Sequence, residues 1–262
     1  MSKKTIGILG CGWLGKPLAV ELSIAGFDVR GTSRDRQTLD ALERQGIQSV
    51  MIDVQEKKIL GDLQVFLQGL DILLIDIPPG LRQNPASDFA YRMKMLMSFA
   101  RAYDIPQTIF ISSTSVFKDT AAFPIYTEED LPNASSSNAQ QLIAAEEVIQ
   151  EMTAQYCIIR PGGLIGGNRH PVTYLSGRQD LSNPDAPVNL VERSALIKMI
   201  KQIIDQEELP KLVHGISIPH EPKESYYQEA ARQMGISLPK FDHQSASVGK
   251  RIQSIVFPFT VT

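Results

Sequence analysis

The sequence predicts an α/β fold, a doubly wound parallel sheet with a smaller C-terminal lobe. Three observations predict it. Short apolar runs alternate with helical spacings through the first 160 of the 262 residues. Those runs are apolar on both faces, as strands covered by helices on either side are. Beyond Pro161 the alternation stops, and residues 161–190 are rich in Gly, Pro and Asn. The expected division is therefore a sheet domain over residues 1–160 and a smaller lobe over 161–262. That lobe is packed on the same sheet and is the expected seat of a substrate.

The elements follow in order. Residues 5–9 are apolar and end at Gly10, a buried strand, and residues 18–25 carry helical spacing. Residues 27–31 form the second strand, 36–44 the second helix, and 49–52 a third strand that stops at Asp53. Residues 71–76 are the fourth, closed by Pro78-Pro79-Gly80. Phe89, Met93, Leu96, Ala100 and Tyr103 recur at steps of three and four, one face of a helix. Residues 108–111 and 156–159 are the fifth and sixth strands, with a helix at 142–152 between them. The lobe holds an amphipathic helix around Leu196, Ile197, Ile200, Ile203 and Ile204. A late strand is expected at 212–218 and a helix at 225–234.

Composition narrows the function classes. The formal charge is −3, whereas binding by phosphate neutralisation needs a basic chain, so no nucleic-acid partner is expected. No apolar run reaches the ~18 residues of a membrane span. The opening residues 1–4 lead into a glycine-rich stretch and not a secretory apolar core. Two cysteines, Cys11 and Cys157, are too few for a disulfide framework or a cysteine zinc site. His214, His220 and His243 lack metal-ligand spacing, so no metal is expected. The expectation is a cytoplasmic protein that handles a small molecule.

The chemistry concentrates at Gly10-Cys11-Gly12-Trp13-Leu14-Gly15, which is Gly-x-Gly-x-x-Gly between the first strand and the first helix. That is the dinucleotide fingerprint of a Rossmann fold. Gly10 permits the tight turn, Gly12 the approach of a diphosphate, and Gly15 close packing of helix on strand. The helix start supplies N–H donors and partial positive charge. Gly10 to Lys16 also matches a nucleoside-triphosphate loop, but Pro17 stands where a magnesium-holding hydroxyl is required. Cys11 and Trp13 read first as packing groups, although a thiol at a helix start can have a lowered pKa.

An NAD site places a carboxylate at the tip of the second strand, about twenty residues on. Here the tip carries Ser33 and Arg34, with Arg36 behind, so a 2′-phosphate is favoured: NADP, with NAD as the second choice. Asp53 either accepts from the adenine amino group or caps the next segment. The cofactor-binding set is therefore Gly10, Gly12, Trp13, Leu14, Gly15, Ser33, Arg34, Asp53 and Pro78.

These residues, with Ile75 to Gly80, Ile111-Ser112-Ser113-Thr114-Ser115-Val116-Phe117 and Arg160-Pro161-Gly162-Gly163, resemble the extended short-chain dehydrogenase/reductases, the NAD-dependent epimerase/dehydratase family. The chain looks like an atypical branch. Where the family shows Ser-Ser-x-x-Val-Tyr-Gly, this chain has Phe117-Lys118. The resemblance implies a Tyr acting as acid/base, a Lys four residues later that lowers its pKa, and a Ser, here Ser113, that orients the substrate oxygen. The Tyr-x-x-x-Lys pair is missing. The alignment falls on Asn138 and Leu142, or Ala139 and Ile143 after a shift of one, and no lysine lies between Lys118 and Lys198. Positioned acid/base groups contribute ~10²–10⁴-fold, so the ordinary chemistry is expected to be weakened or lost.

Tyr126, Lys118 and His170 are the substitutes to test, and Gln140 or Gln141 could bond a ribose. The blander roles are a packed aromatic, a solvated cation and a loop histidine held by backbone, while Glu128 and Glu129 read as a solvated acidic pair. The expectation is an NADP-linked oxidoreductase or epimerase-like enzyme with catalytic candidates Ser113 and Tyr126. It would act on a sugar nucleotide or carbonyl compound. The alternative is a non-catalytic NADP(H)-binding sensor.

Overall fold

The computed structural model describes residues 3–81, 84, 86–257 and 259–260. Met1 and Ser2, part of the polar opening segment, lie outside them. A seven-stranded parallel sheet is flanked by helices, a Rossmann-like α/β fold. Its strands are β1 (Thr5–Leu9), β2 (Asp28–Ser33), β3 (Gln48–Met51), β4 (Ile72–Ile75), β5 (Gln107–Ile111), β6 (Tyr156–Pro161) and β7 (Leu212–Gly215). The order across the sheet is β7-β6-β5-β4-β1-β2-β3. The chain leaves β1 in one direction and passes from β3 to β4 on its other side, which makes the C-terminal end of β1 the topological switch point. Register there is fixed by Ile8 beside Gly31 and Leu9 beside Ile75.

The helices α1 (Gly15–Ile24), α2 (Arg36–Glu43), α3 (Leu63–Leu67), α4 (Phe89–Arg101) and α5 (Ser137–Met152) connect these strands. Side-chain caps start several of them: Asp35 accepts from Thr38 N–H at 2.9 Å, Asp62 from Val65 N–H at 2.9 Å and Asp88 from Tyr91 N–H at 2.8 Å. Phe89, Met93, Leu96 and Ala100 bury one face of α4 as their spacing predicts, while Tyr103 lies beyond its end. Helix α5 begins five residues earlier than its apolar pattern, at Ser137, because the Ser136 hydroxyl caps it on Ala139 N–H. Helix α3 was not visible as a periodic segment. The expected late strand breaks at Ile216 into β7 and a short strand Ser217–Ile218.

The chain forms two compact units that interleave in sequence. One comprises Met1–Ser112, Ser136–Ile159 and Ile200–Leu212. The other comprises Ser113–Ser135, Arg160–Met199 and Val213–Thr262. In the first, Ile6, Ile8, Leu18, Leu22, Leu39, Leu42, Phe66 and Ile72 to Ile75 are fully or almost fully buried. Each such side chain contributes about 1.5–3 kcal/mol to folding. In the second, Val172, Val188, Tyr227 and Ala231 form a core, with helix α6 (Lys223–Gln233) supplying the last two. Among the described residues no helix is long and apolar enough to cross a membrane.

Candidate dinucleotide site

In the first unit the chain leaves β1 through Gly10, whose φ of 108° suits glycine and would cost another residue about 1–3 kcal/mol. A Cβ there would stand 2.4 Å from the Asp76 carbonyl oxygen. At Gly15 a Cβ would meet the Gly10 carbonyl oxygen at 2.2 Å. Gly12 differs from both: a Cβ there would meet nothing within 4 Å, and the residue is exposed. Two glycines thus close the turn, and the third leaves open space above the start of α1.

Thr32 holds the turn in place. This buried residue accepts from Gly10 N–H through Oγ1 at 3.0 Å and from Cys11 N–H through its carbonyl at 2.7 Å. Its neighbour Gly31 admits the Cys11 thiol, which would lie 2.7 Å from a Cβ at that position. Burial pushes that thiol up to about 12, so Cys11 is a packing group and stays protonated. Leu14 is buried and Trp13 partly buried. Thr32 was not singled out from the sequence. A threonine at a strand tip facing a glycine turn is the signal that could have found it.

The tip of β2 presents Ser33 and Arg34. Ser33 Oγ accepts from Asp35 N–H at 3.1 Å. The Arg34 side chain is 76% exposed and stands 3.7 Å from Asp53. A surface pair of this kind is worth about 0–1 kcal/mol, less than the ~1.5–3 kcal/mol of a charge-assisted hydrogen bond to phosphate. Arg34 is therefore free to exchange one anion for another. Asp53 also accepts from Gln55 Nε2 at 2.7 Å. Asp35, the acidic residue next along, is spent as the α2 cap. Hydrogen bonds from the Thr38 hydroxyl and N–H hold its carboxyl below the usual range.

Beyond β4, Ile77 packs towards Gly10, Pro78 is exposed, and Arg92 of α4 reaches back. Its guanidinium donates to the carbonyls of Pro79 and Val54 and lies 5.1 Å from the centre of the Phe89 ring. Arg92 was also missed in the sequence, where it reads as one polar residue on a helix. Gln141, a candidate for a ribose, instead accepts from Phe89 and Ala90 N–H at 2.7 and 3.2 Å and caps α4.

The second unit holds the catalytic candidates. Ser113 is partly buried and caps a short turn, its Oγ accepting from Ser115 N–H at 3.1 Å. Tyr126 is buried and stacked on Phe117 at 4.5 Å. Its hydroxyl donates to the Lys118 carbonyl at 3.2 Å and accepts from Asn133 Nδ2 at 3.1 Å. Lys118 itself is exposed. Glu128 is not the solvated residue expected. It accepts from His214 N–H, the Ser254 hydroxyl and Ile255 N–H at 2.9, 2.6 and 2.9 Å, because the C-terminal segment folds over it. Glu129 is exposed. His170 Nδ1 accepts from Val172 N–H at 3.2 Å, which places the proton of the neutral ring on Nε2, 3.0 Å from Tyr226 Oη. Among the described residues no three His, Cys, Asp or Glu side chains group as metal ligands.

A glycine turn at a topological switch point, opening a helix, defines a dinucleotide-binding protein of the Rossmann class. Residues 10–206 match the NAD(P)H-binding family, and the chain belongs to it. It is similar to Protein YeeZ of Escherichia coli K12, at 29% identity over 91% of this chain and 86% of that one. Its fold is that of UDP-glucuronic acid 4-epimerase from Bacillus cereus in complex with NAD, at a TM-score of 0.76 and 13% identity, covering 96% of this chain and 88% of the other. A short-chain dehydrogenase/reductase superfamily protein from Agrobacterium tumefaciens with bound NAD matches at a TM-score of 0.71 and 14% identity, over 95% and 88%.

Proposed function

We propose that the protein is an NADP(H)-binding, epimerase/dehydratase-like oxidoreductase. The observation that carries the reading is the open space at Gly12 beside the first turn of α1. A diphosphate can approach the start of the helix there without displacing a side chain. The choice of NADP rests on the tip of β2, where Asp35 is committed to its cap and Arg34 is held by a weak pair alone. Trp13, Leu14, Asp53 and Pro78 complete the expected lining. When bound, the cofactor supplies a hydride acceptor or donor. Ser113 is proposed to orient a substrate oxygen. The substrate is proposed to be a sugar nucleotide or other carbonyl compound, and the compartment the cytoplasm, where the buried free thiols of Cys11 and Cys157 stay reduced.

A specific observation favours a second reading, a non-catalytic NADP(H) sensor. The Tyr126 hydroxyl is buried with both hydrogen-bonding roles filled, and Gln141 serves as a helix cap. Tyr126 is therefore not free for an acid/base role, nor Gln141 for a ribose, and we assign Tyr126 to packing. Titration calorimetry with NADP, NADPH, NAD and NADH tests the cofactor. A screen of carbonyl and sugar-nucleotide substrates, followed by NADPH absorbance in wild type and Ser113→Ala, separates the two readings. Turnover lost in Ser113→Ala supports the enzyme, and tight binding without turnover supports the sensor.

A further inference from the structure

Asp76 follows β4 directly beneath the glycine turn. Its N–H donates to the Leu9 carbonyl at 2.8 Å, its carbonyl fills the space beside Gly10, and its carboxyl accepts from Gly15 N–H. Asp76 Oδ2 would stand 3.2 Å from a Cβ on Gly15. The carboxyl therefore takes the first N–H of α1, the helix end beside the open space at Gly12. An ionised Asp76 and a bound diphosphate are two anions at one helix end, and shielding from water strengthens their repulsion.

We propose that Asp76 is a proton-coupled positioning residue of the diphosphate site: the loop holds a dinucleotide tightly only when this carboxyl is protonated, so binding takes up one proton. The inference rests on the cofactor reading above. A protonated carboxyl keeps one oxygen for Gly15 N–H and replaces its charge with an O–H donor. Burial already pushes the Asp76 carboxyl up to about 7, with the Gly15 N–H pulling the other way, so the proton is exchangeable near neutrality.

Few charges compete among the described residues. Cys11 is the titratable group of the loop that feels Asp76, and it stays a neutral thiol. Lys16 of α1 acts on Asp35, while Arg30 of β2 is bound to the carbonyls of Val65, Phe66 and Gln68. Strands β1 and β5 contribute no ionisable side chain. Arg92 of α4 is engaged with Pro79 and Val54.

Calorimetric titration of the full chain with NADPH, at about pH 6 and about pH 8.5 and in buffers of different ionisation enthalpy, counts the protons. Wild type is expected to take up protons near pH 7 and to bind at least ~5-fold more weakly at the higher pH. Asp76→Asn keeps the acceptor for Gly15 and is expected to bind at high pH as wild type does at low pH. The NADPH 2′-phosphate titrates near ~6 in both proteins, so the difference between them isolates Asp76. Binding with no proton uptake in wild type, or uptake that persists in Asp76→Asn, overturns this inference alone. Absence of binding at both pH values overturns the cofactor reading and this inference with it.

Discussion

The glycine turn after β1 and the polar network around Tyr126 are both built at strand ends, yet they are finished in opposite ways. Around Tyr126 the buried hydroxyl and its neighbours meet groups of their own unit. The hydroxyl lies between Lys118 and Asn133, and Lys250 Nζ donates to the Phe117 carbonyl at 2.6 Å and pairs with Asp119 at 3.2 Å. Around Gly12 nothing fills the space, and at the β2 tip Arg34 keeps a mostly exposed guanidinium. A satisfied network contributes stability, whereas open space at a helix start and an unconfined cation are what an anionic ligand requires. On the proposed reading, binding belongs to the first unit and Tyr126 has a structural role.

The sharpest way to break the contrast is to fill the space at Gly12. Gly12→Val is expected to keep the wild-type melting temperature and to weaken NADPH binding at least ~100-fold, because the new side chain stands where the diphosphate enters. Gly10→Ala is expected to do the reverse first and unfold the turn, losing about 3 kcal/mol through its φ and its clash with Asp76. Urea melts and calorimetry on both variants measure the split.

A second test concerns Asp76. Its folded pKa is raised above the unfolded value, so its contribution to stability is full below about pH 4 and lost as pH rises through about 7. Asp76→Asn is expected to gain about 2 kcal/mol on wild type at about pH 8.5 and to lose that advantage at about pH 4, measured by denaturant melts.

Arg34→Ala is expected to weaken NADP about tenfold and leave NAD within about twofold, since it removes a charge-assisted bond to the 2′-phosphate alone. Equal loss for both cofactors would move the adenosine end elsewhere. The smallest effect belongs to Tyr126→Phe. It is expected to cost about 1 kcal/mol of stability, by removing one donor and one acceptor, and to leave NADPH affinity unchanged.

Much of this was legible in the residues. Apolar runs on both sides of a glycine turn predict parallel strands, and β1 to β6 form within a residue or two of their runs. What periodicity cannot show is where a polar side chain goes. Glu128 reads as solvated because its partners Ser254 and Ile255 are 126 and 127 positions away. Gln141 reads as a ribose ligand because its real partner is the α4 start, 52 positions away. Thr32 and Arg92 were missed for the same reason: each acts through carbonyl or N–H groups brought close only by the folded sheet. Helix α3 is too short to display a period. The interleaving of the two units has no local signal at all, since it depends on where residues 113–135 and 200–212 pack.

The central claim is that the open space at Gly12 receives a nicotinamide dinucleotide. Titration of NADPH into wild type and Gly12→Val, both shown to be folded, tests it most directly. The account predicts one saturable site per chain in wild type and its loss in the variant. Equal binding by the two proteins, or no binding by wild type at any pH, would contradict it.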